Sequence, residues 1–340
     1  MTRRPARPAA ARARRGAALP GAGLPTLVVP VAIVTVAIVA VASALALAAC
    51  GAAGGDRGPG ADAGGAAASS ATPSSAAPTA TPSTTPGPTA AAWAPPPAGA
   101  RFDYQIGGPY PPAPGVEVVE RDHREPPADG VYSICYVNAF QTQPEQADLW
   151  LGEHPDLLLR RDGVPVEDPD WPGELVLDVS TAQQRAGVAE VVGAWIDGCA
   201  DAGYEAVELD NLDTAARFPD LLEEDDVVAV AGTLVARAHA RGLAVAQKNA
   251  PELAARGATE VGFDFVVAEE CQVYAECDAY TADYGDRVIE IEYDDVTPDN
   301  PDPDATFAAA CAARGDRVSV LYRDRDVVPS GATGYRSEHC

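Results

Sequence analysis

The 340-residue chain is nearly without lysine: Lys248 is the only one, and the other basic residues are arginine. Where arginine serves everywhere else, a single lysine suggests a place that wants a compact ammonium and not a planar guanidinium. Histidine is scarce too. His123, His154, His239 and His339 show no H-E-x-x-H or comparable zinc spacing. The globular part has no G-x-S-x-G, no P-loop and no G-x-G-x-x-G, which removes the serine-hydrolase elbow, the phosphate cradle and the dinucleotide fingerprint. D-N-L-D at Asp210–Asp213 lacks the spacing and downstream Glu of a calcium loop. No cofactor and no metal are therefore expected. Acids are missing from residues 1–50, which hold six arginines. The remainder carries 18 basic against 50 acidic side chains, a net −32, within an overall −26. So acidic a body repels nucleic-acid phosphates and suits a neutral or cationic partner, besides keeping the protein soluble.

Three compositions divide the chain. In residues 1–50 a basic, Pro- and Ala-rich start precedes Leu27–Ala49, an uncharged run long enough to span a bilayer. It ends in Leu47-Ala48-Ala49-Cys50-Gly51, which resembles the lipobox of bacterial lipoproteins and implies cleavage before Cys50 and lipidation of its thiol. The competing expectation is an uncleaved N-terminal membrane anchor. Either way the arginines stay cytoplasmic and the rest lies outside, anchored to the outer face of the cell membrane. Residues 51–97 are almost wholly Ala, Gly, Ser, Thr and Pro, a composition that buries no core and is expected to form a disordered linker. From Ala98 to Cys340 the composition is globular and sufficient for one large core.

In that part the sequence predicts strands at Phe102–Ile106, Val116–Glu120, Val131–Asn138, Leu175–Val179, Ala206–Asp210, Leu243–Lys248, Phe265–Glu269, Val288–Tyr293 and Val318–Tyr322. Helical patterns at Thr181–Ala202, Leu221–Arg241, Pro251–Arg256 and Thr306–Arg314 lie between several of them. Alternation of this kind predicts parallel β/α units, an α/β (β/α)8 TIM barrel with one strand in excess. The long loop Ala139–Gly173, with Trp150 and Trp171, is expected to be functional or lid-like. Predicted strands end in Gln105, Asp122, Asn138, Asp178, Asp210-Asn211, Lys248-Asn249, Glu269-Glu270 and Glu292-Tyr293. Polar endings on most strands are what a barrel mouth looks like in sequence, because all the C-terminal ends converge there. Gathered carboxylates raise each other's pKa, so one can stay protonated as acid while its neighbour ionises. A carboxylate pair flanking a scissile bond is the arrangement for glycoside hydrolysis. Beyond Cys50, six cysteines in an exported domain predict disulfides, with fifteen possible connectivities. Cys271–Cys277 would close a small loop behind Glu269, Cys311–Cys340 would pin the tail, and Cys135–Cys199 would remain.

V-E-L-D-N (Val207–Asn211), A-H-A-R-G-L-A-V-A-Q-K-N (Ala238–Asn249), F-D-F-V-V-A-E-E-C-Q-V-Y-A-E-C-D (Phe263–Asp278) and I-E-Y (Ile291–Tyr293) resemble glycoside hydrolase family 114. I-C-Y-V (Ile134–Val137) and Y-Q-I-G-G (Tyr104–Gly108) fit as well. The resemblance implies a (β/α)8 barrel with endo-α-1,4-polygalactosaminidase activity. It implies Asp210 and Glu269 as the catalytic pair, Asp210 as nucleophile or base and Glu269 as general acid, or with these roles exchanged. It also places Asp178, Glu208, Asn211, Lys248, Asn249 and Glu292 in the substrate pocket, to which Tyr136 and Gln105 are added as strand-end candidates. The chain departs from the family pattern at Leu209 (usually Pro), Ala268 (usually Asn), Glu270 (usually Gln) and in V-N-A-F-Q-T-Q after Tyr136. These departures are expected at the pocket mouth, with Ala268 removing a sugar contact and Glu270 adding negative charge.

The expected function is hydrolysis of an α-linked, galactosamine-containing polysaccharide by a monomeric enzyme on the cell envelope. The alternative is a non-catalytic carbohydrate-binding lipoprotein on the same barrel. Retention of both Asp210 and Glu269 favours the enzyme, since a binding module has no need of that pair. A structural envelope protein would instead leave the acidic strand ends scattered.

Overall fold

The computed structural model describes residues 93–340. The apolar run Leu27–Ala49, Cys50 and most of the expected linker lie outside them. Among the described residues no helix is long and apolar enough to cross a membrane.

Eight parallel strands form one sheet in sequence order: β1 (Phe102–Tyr104), β2 (Val118–Asp122), β3 (Tyr132–Asn138), β4 (Ala206–Asp210), β5 (Ala244–Lys248), β6 (Phe265–Glu269), β7 (Val288–Tyr293) and β8 (Ser319–Arg323). A ninth, β9 (Ser337–His339), adds antiparallel to the free edge of β8. The barrel is nearly closed there, and side chains complete the seam to β1. His339 Nε2 donates to the Phe102 carbonyl at 2.7 Å, and buried Arg323 donates to the Tyr104 carbonyl at 3.2 Å.

Both faces of these strands are buried, as parallel barrel strands require. Successive side chains alternate between the barrel interior and the helix layer. Phe102, Ile134, Ala206, Ala246, Phe265, Val267, Ile289, Ile291 and Leu321 pack together inside the barrel. Their strand neighbours Val207, Leu209, Val245, Val266 and Ala268 pack outward among helix residues such as Val192, Ile196, Val230 and Leu234. The main covering helices are α1 (Ala182–Ala202), α2 (Glu224–Ala240), α3 (Cys277–Tyr284) and α4 (Pro303–Arg314). Thr181 caps α1 by accepting from Gln184 N, and Glu223 and Asp226 form a reciprocal capping box on α2. The stretch predicted as a helix at Pro251–Arg256 is a composite: a 3-10 turn, one α turn and a π-helical turn running on to Val261.

Leu175–Val179 is the strand in excess. It makes only isolated antiparallel bridges, Gln141 with Val176, Leu158 with Leu177 and Glu167 with Leu175, so its apolar residues serve the excursion between β3 and α1 and not the barrel. That excursion holds a short helix at Ala147–Gly152 and a two-stranded hairpin of Arg160–Arg161 with Val164–Pro165. Trp150 in it is fully buried.

All three disulfides join the expected partners: Cys135–Cys199, Cys271–Cys277 and Cys311–Cys340. Packing against the barrel begins upstream of Ala98. Trp93 stacks on His239 with ring centroids 3.9 Å apart and donates to Asp264 at 3.0 Å. Asp264 immediately precedes β6, so the chain enters at the N-terminal face of the barrel, opposite the mouth.

Candidate active site

The strand alternation that buries Ala206 inside the barrel also points Glu208 and Asp210 inward, and likewise Lys248 on β5, Glu269 on β6 and Tyr293 on β7. An open cleft of about 720 Å³ lies over the C-terminal strand ends, and Tyr104, Tyr136, Asp210, Lys248, Asn249 and Glu269 line its floor. The sole lysine is the hub. Its buried Nζ lies 3.3 Å from Asp210 Oδ1, 3.6 Å from Glu269 Oε2, 3.5 Å from Glu208 Oε1 and 3.4 Å from the Tyr104 hydroxyl. Burial alone would lower the Lys248 pKa, but Asp210, Glu208 and Glu269 outweigh it and raise it well above the ordinary value.

Each of the two mouth carboxylates has further partners. The Tyr136 hydroxyl donates to Asp210 Oδ2 at 2.6 Å. Burial and then the Asp210 charge push that phenol well up, so it stays a neutral donor. Glu269 accepts from the Asn249 amide at 3.0 Å and from the Tyr293 hydroxyl. Asn249 returns a bond from the Glu269 backbone N–H at 2.8 Å, fixing one strand end against the next. Asn211, Asn249, Ala250 and Glu270, which follow β4, β5 and β6, all have positive φ between 48° and 66°. Left-handed residues at three successive strand ends show a backbone turned sharply to present these side chains.

Beneath this layer Glu120 of β2 and Glu208 of β4 are wholly buried. Burial outweighs the nearby ammonium and pushes Glu208 to about 8, while burial and then Glu208 hold Glu120 well above its ordinary value. Burial thus favours the protonated form of both acids beneath the floor.

Four of the residues expected in or near the pocket stand elsewhere. Gln105 is buried beside the mouth, bonded to Asp103, Arg121 and the Tyr110 N–H. Asp178 accepts from the Ser180 backbone and hydroxyl at the start of α1, a local turn outside the cleft lining. Glu292 faces the helix layer, where it accepts from the Gln272 N–H. Glu208 lies under the cleft floor and not on it. Of the departures from the family pattern, Gln143 in V-N-A-F-Q-T-Q lines the cleft, whereas the three single-residue departures lie away from its lining. Leu209 and Ala268 point outward into the core, so Ala268 takes no sugar contact away. Glu270 is buried and ion-paired with Arg325, so its charge is answered within the protein.

Tyr104, Glu120 and Glu174 were not singled out as site residues by the sequence, and Tyr293 was named only as a strand end beside Glu292. Tyr293 carried a signal, since it ends the same strand as Glu292 and only the inward-outward parity separates them. Glu174 lines the cleft from the long loop after β3.

The model of glycoside-hydrolase family GH114 matches residues 82–340. Among curated proteins none matches the chain. The crystal structure of Ega3 from Aspergillus fumigatus, in complex with galactosamine, shares the fold with a TM-score of 0.57 at 23% identity, covering 75% of this chain and 100% of that one. The glycoside hydrolase domain of PelA from Pseudomonas aeruginosa matches with a TM-score of 0.47 at 16% identity, over 70% of this chain and 98% of that one.

Proposed function

The chain belongs to glycoside-hydrolase family GH114, and from that premise we propose that it cleaves an α-1,4-linked, galactosamine-containing polysaccharide within the chain, with Asp210 and Glu269 as its carboxylate pair. The observation that carries this reading is that both carboxylates stand within 3.6 Å of one buried ammonium, on the floor of one cleft. Lys248 and the Tyr136 phenol both donate to Asp210, the setting for the partner that works as an anion. Asp210 then attacks the anomeric carbon or takes a proton from the water that does. Glu269 gives its proton to the departing glycosidic oxygen. Asn249 and Tyr293 hold the Glu269 carboxyl in place while the sugar approaches. Asn211 lines the same cleft and, with Asn249, is available to sugar hydroxyl groups.

Three disulfides in the barrel suit an oxidising compartment, which supports a place outside the cytoplasm.

The test is hydrolysis of a partly deacetylated α-1,4-galactosaminogalactan by the purified protein, with products read by mass spectrometry. Oligosaccharide release is expected from the native chain. Asp210→Asn and Glu269→Gln should each lower it by at least about a hundredfold, the scale of a lost acid or base. Binding without release by the native chain would sink the enzyme and leave a carbohydrate-binding barrel.

A further inference from the structure

Trp171-Pro172-Gly173-Glu174 folds into a tight turn. The Glu174 N–H donates to the Trp171 carbonyl at 3.0 Å, proline holds the second position, and glycine holds the third with φ 93°. That is the chemistry of a type II turn, whose third residue needs a positive φ. The Gly173 N–H donates to Glu167 at 2.7 Å and fastens the turn to the loop beneath it. Its two ends, Trp171 and Glu174, both line the cleft, and Trp171 is 36% exposed.

Glu174 is braced on one side only. Its Oε2 accepts from Gln141 Nε2 at 3.0 Å and from Asn138 Nδ2 at 3.4 Å. Asn138 ends β3 directly opposite Asp210 in the sheet register, so this carboxyl is referenced to the strand end that carries Asp210. No described residue donates to Oε1, and no described arginine, lysine or histidine forms an ion pair with Glu174. Its neighbours differ: Asp210 and Glu269 share Lys248, and Asp213 has Arg217. Burial, with the like charges of Asp210 and Asp168, pushes Glu174 to about 7. A carboxyl half out of water, beside other acids and lacking a cation, gains most from a ligand that brings one.

We propose that Glu174 and Trp171 are specificity-determining residues that receive a hexosamine unit beside the cleaved bond, the ring packing on the sugar's C–H face and Glu174 Oε1 pairing with its 2-ammonium. The proposal rests on the reading of the cleft as a galactosamine-polymer site. An ammonium offers this oxygen a charge-assisted hydrogen bond, while an N-acetyl group offers one neutral N–H and added bulk. The preference is therefore for the free amine.

The experiment compares kcat/KM of the native chain, Glu174→Gln and Glu174→Asp on a fully deacetylated α-1,4-galactosamine oligomer and on its N-acetylated counterpart. Glu174→Gln keeps the size and the bonds to Gln141 and Asn138 but loses the charge. It should lower the amine-to-acetyl preference by about ten- to hundredfold, mainly through KM, the scale of a hydrogen bond to a charged group. Glu174→Asp keeps the charge and should retain part of the preference. Equal losses on both oligomers, or a loss in kcat alone, would mean that Glu174 only braces the loop, and would overturn the proposal. If the native chain hydrolyses neither oligomer, titration calorimetry with the deacetylated oligomer decides. Binding weakened in Glu174→Gln keeps the subsite while the enzyme reading falls, and equal or absent binding removes the subsite.

Discussion

Glu292 and Tyr293 are consecutive residues at the end of β7, and the pleat sends them to opposite sides of the barrel wall. Tyr293 reaches Glu269 at the mouth, whereas Glu292 is buried against the helix layer, near Glu290, Glu270 and Arg314. Burial pushes Glu292 from its ordinary 4.5 to about 8. Between those values the folded protein keeps a proton that the unfolded chain releases, so this group's contribution to stability falls as pH rises through that window and is flat above it. Glu292→Gln has nearly the same shape and no proton to lose. Its melting temperature should therefore gain on that of the native protein between pH 5 and pH 8, by an amount worth a few kcal/mol at about 1.4 kcal/mol per pKa unit. A constant gap across the range would mean that Glu292 keeps its ordinary pKa. The same pair shows where sequence reading stops. On a half-exposed sheet, hydrophobic alternation would have told the two residues apart, but here both faces are buried and a buried acid can belong to either. Parity also explains why Leu209 and Ala268 look like mouth residues in sequence and face the core in space. Lys248 was legible for a different reason, since its rarity needs no knowledge of facing.

At the scale of elements, the local patterns gave all eight barrel strands, six of them to within one residue at each end, because β-branched runs bounded by turns survive any choice of partner. They could not say which apolar run joins the barrel. Leu175–Val179 has strand composition yet pairs within an excursion, while β9, Ser-Glu-His, has none and completes the sheet. Pairing partners are a long-range property, and three polar residues at a chain end carry no periodic signal. The Cys311–Cys340 disulfide holds β9 where it lies, spanning 29 residues from α4 to the last residue. Replacing both cysteines by serine should cost about 2–4 kcal/mol on loop-closure grounds. Amide exchange should rise first in β8 and β1, the two strands whose seam β9 covers through His339. Unchanged melting and unchanged exchange would show that hydrogen bonds alone secure the seam.

At the scale of the whole molecule, the net −32 carried by the chain after residue 50 makes the field around the barrel unfavourable to anions and attractive to a polycation. Within the cleft that field has local sources, Glu174 on one wall and Glu252 and Glu276 on another. If the substrate is a polymer of free amines, both contributions speed its capture, and they separate by their response to salt. The screening length falls from about 30 Å at 0.01 M to about 3 Å at 1 M, so attraction by the distant surface disappears while a contact inside a half-buried pocket persists. Raising sodium chloride over that range should lower kcat/KM on a deacetylated polymer by ten- to a hundredfold, roughly. It should leave hydrolysis of the N-acetylated polymer nearly unchanged. The loss caused by Glu174→Gln should then survive at the highest salt, because its partner ammonium sits against it with little water between. A salt-independent rate on the cationic polymer would assign the acidic surface to solubility alone and leave recognition to the cleft.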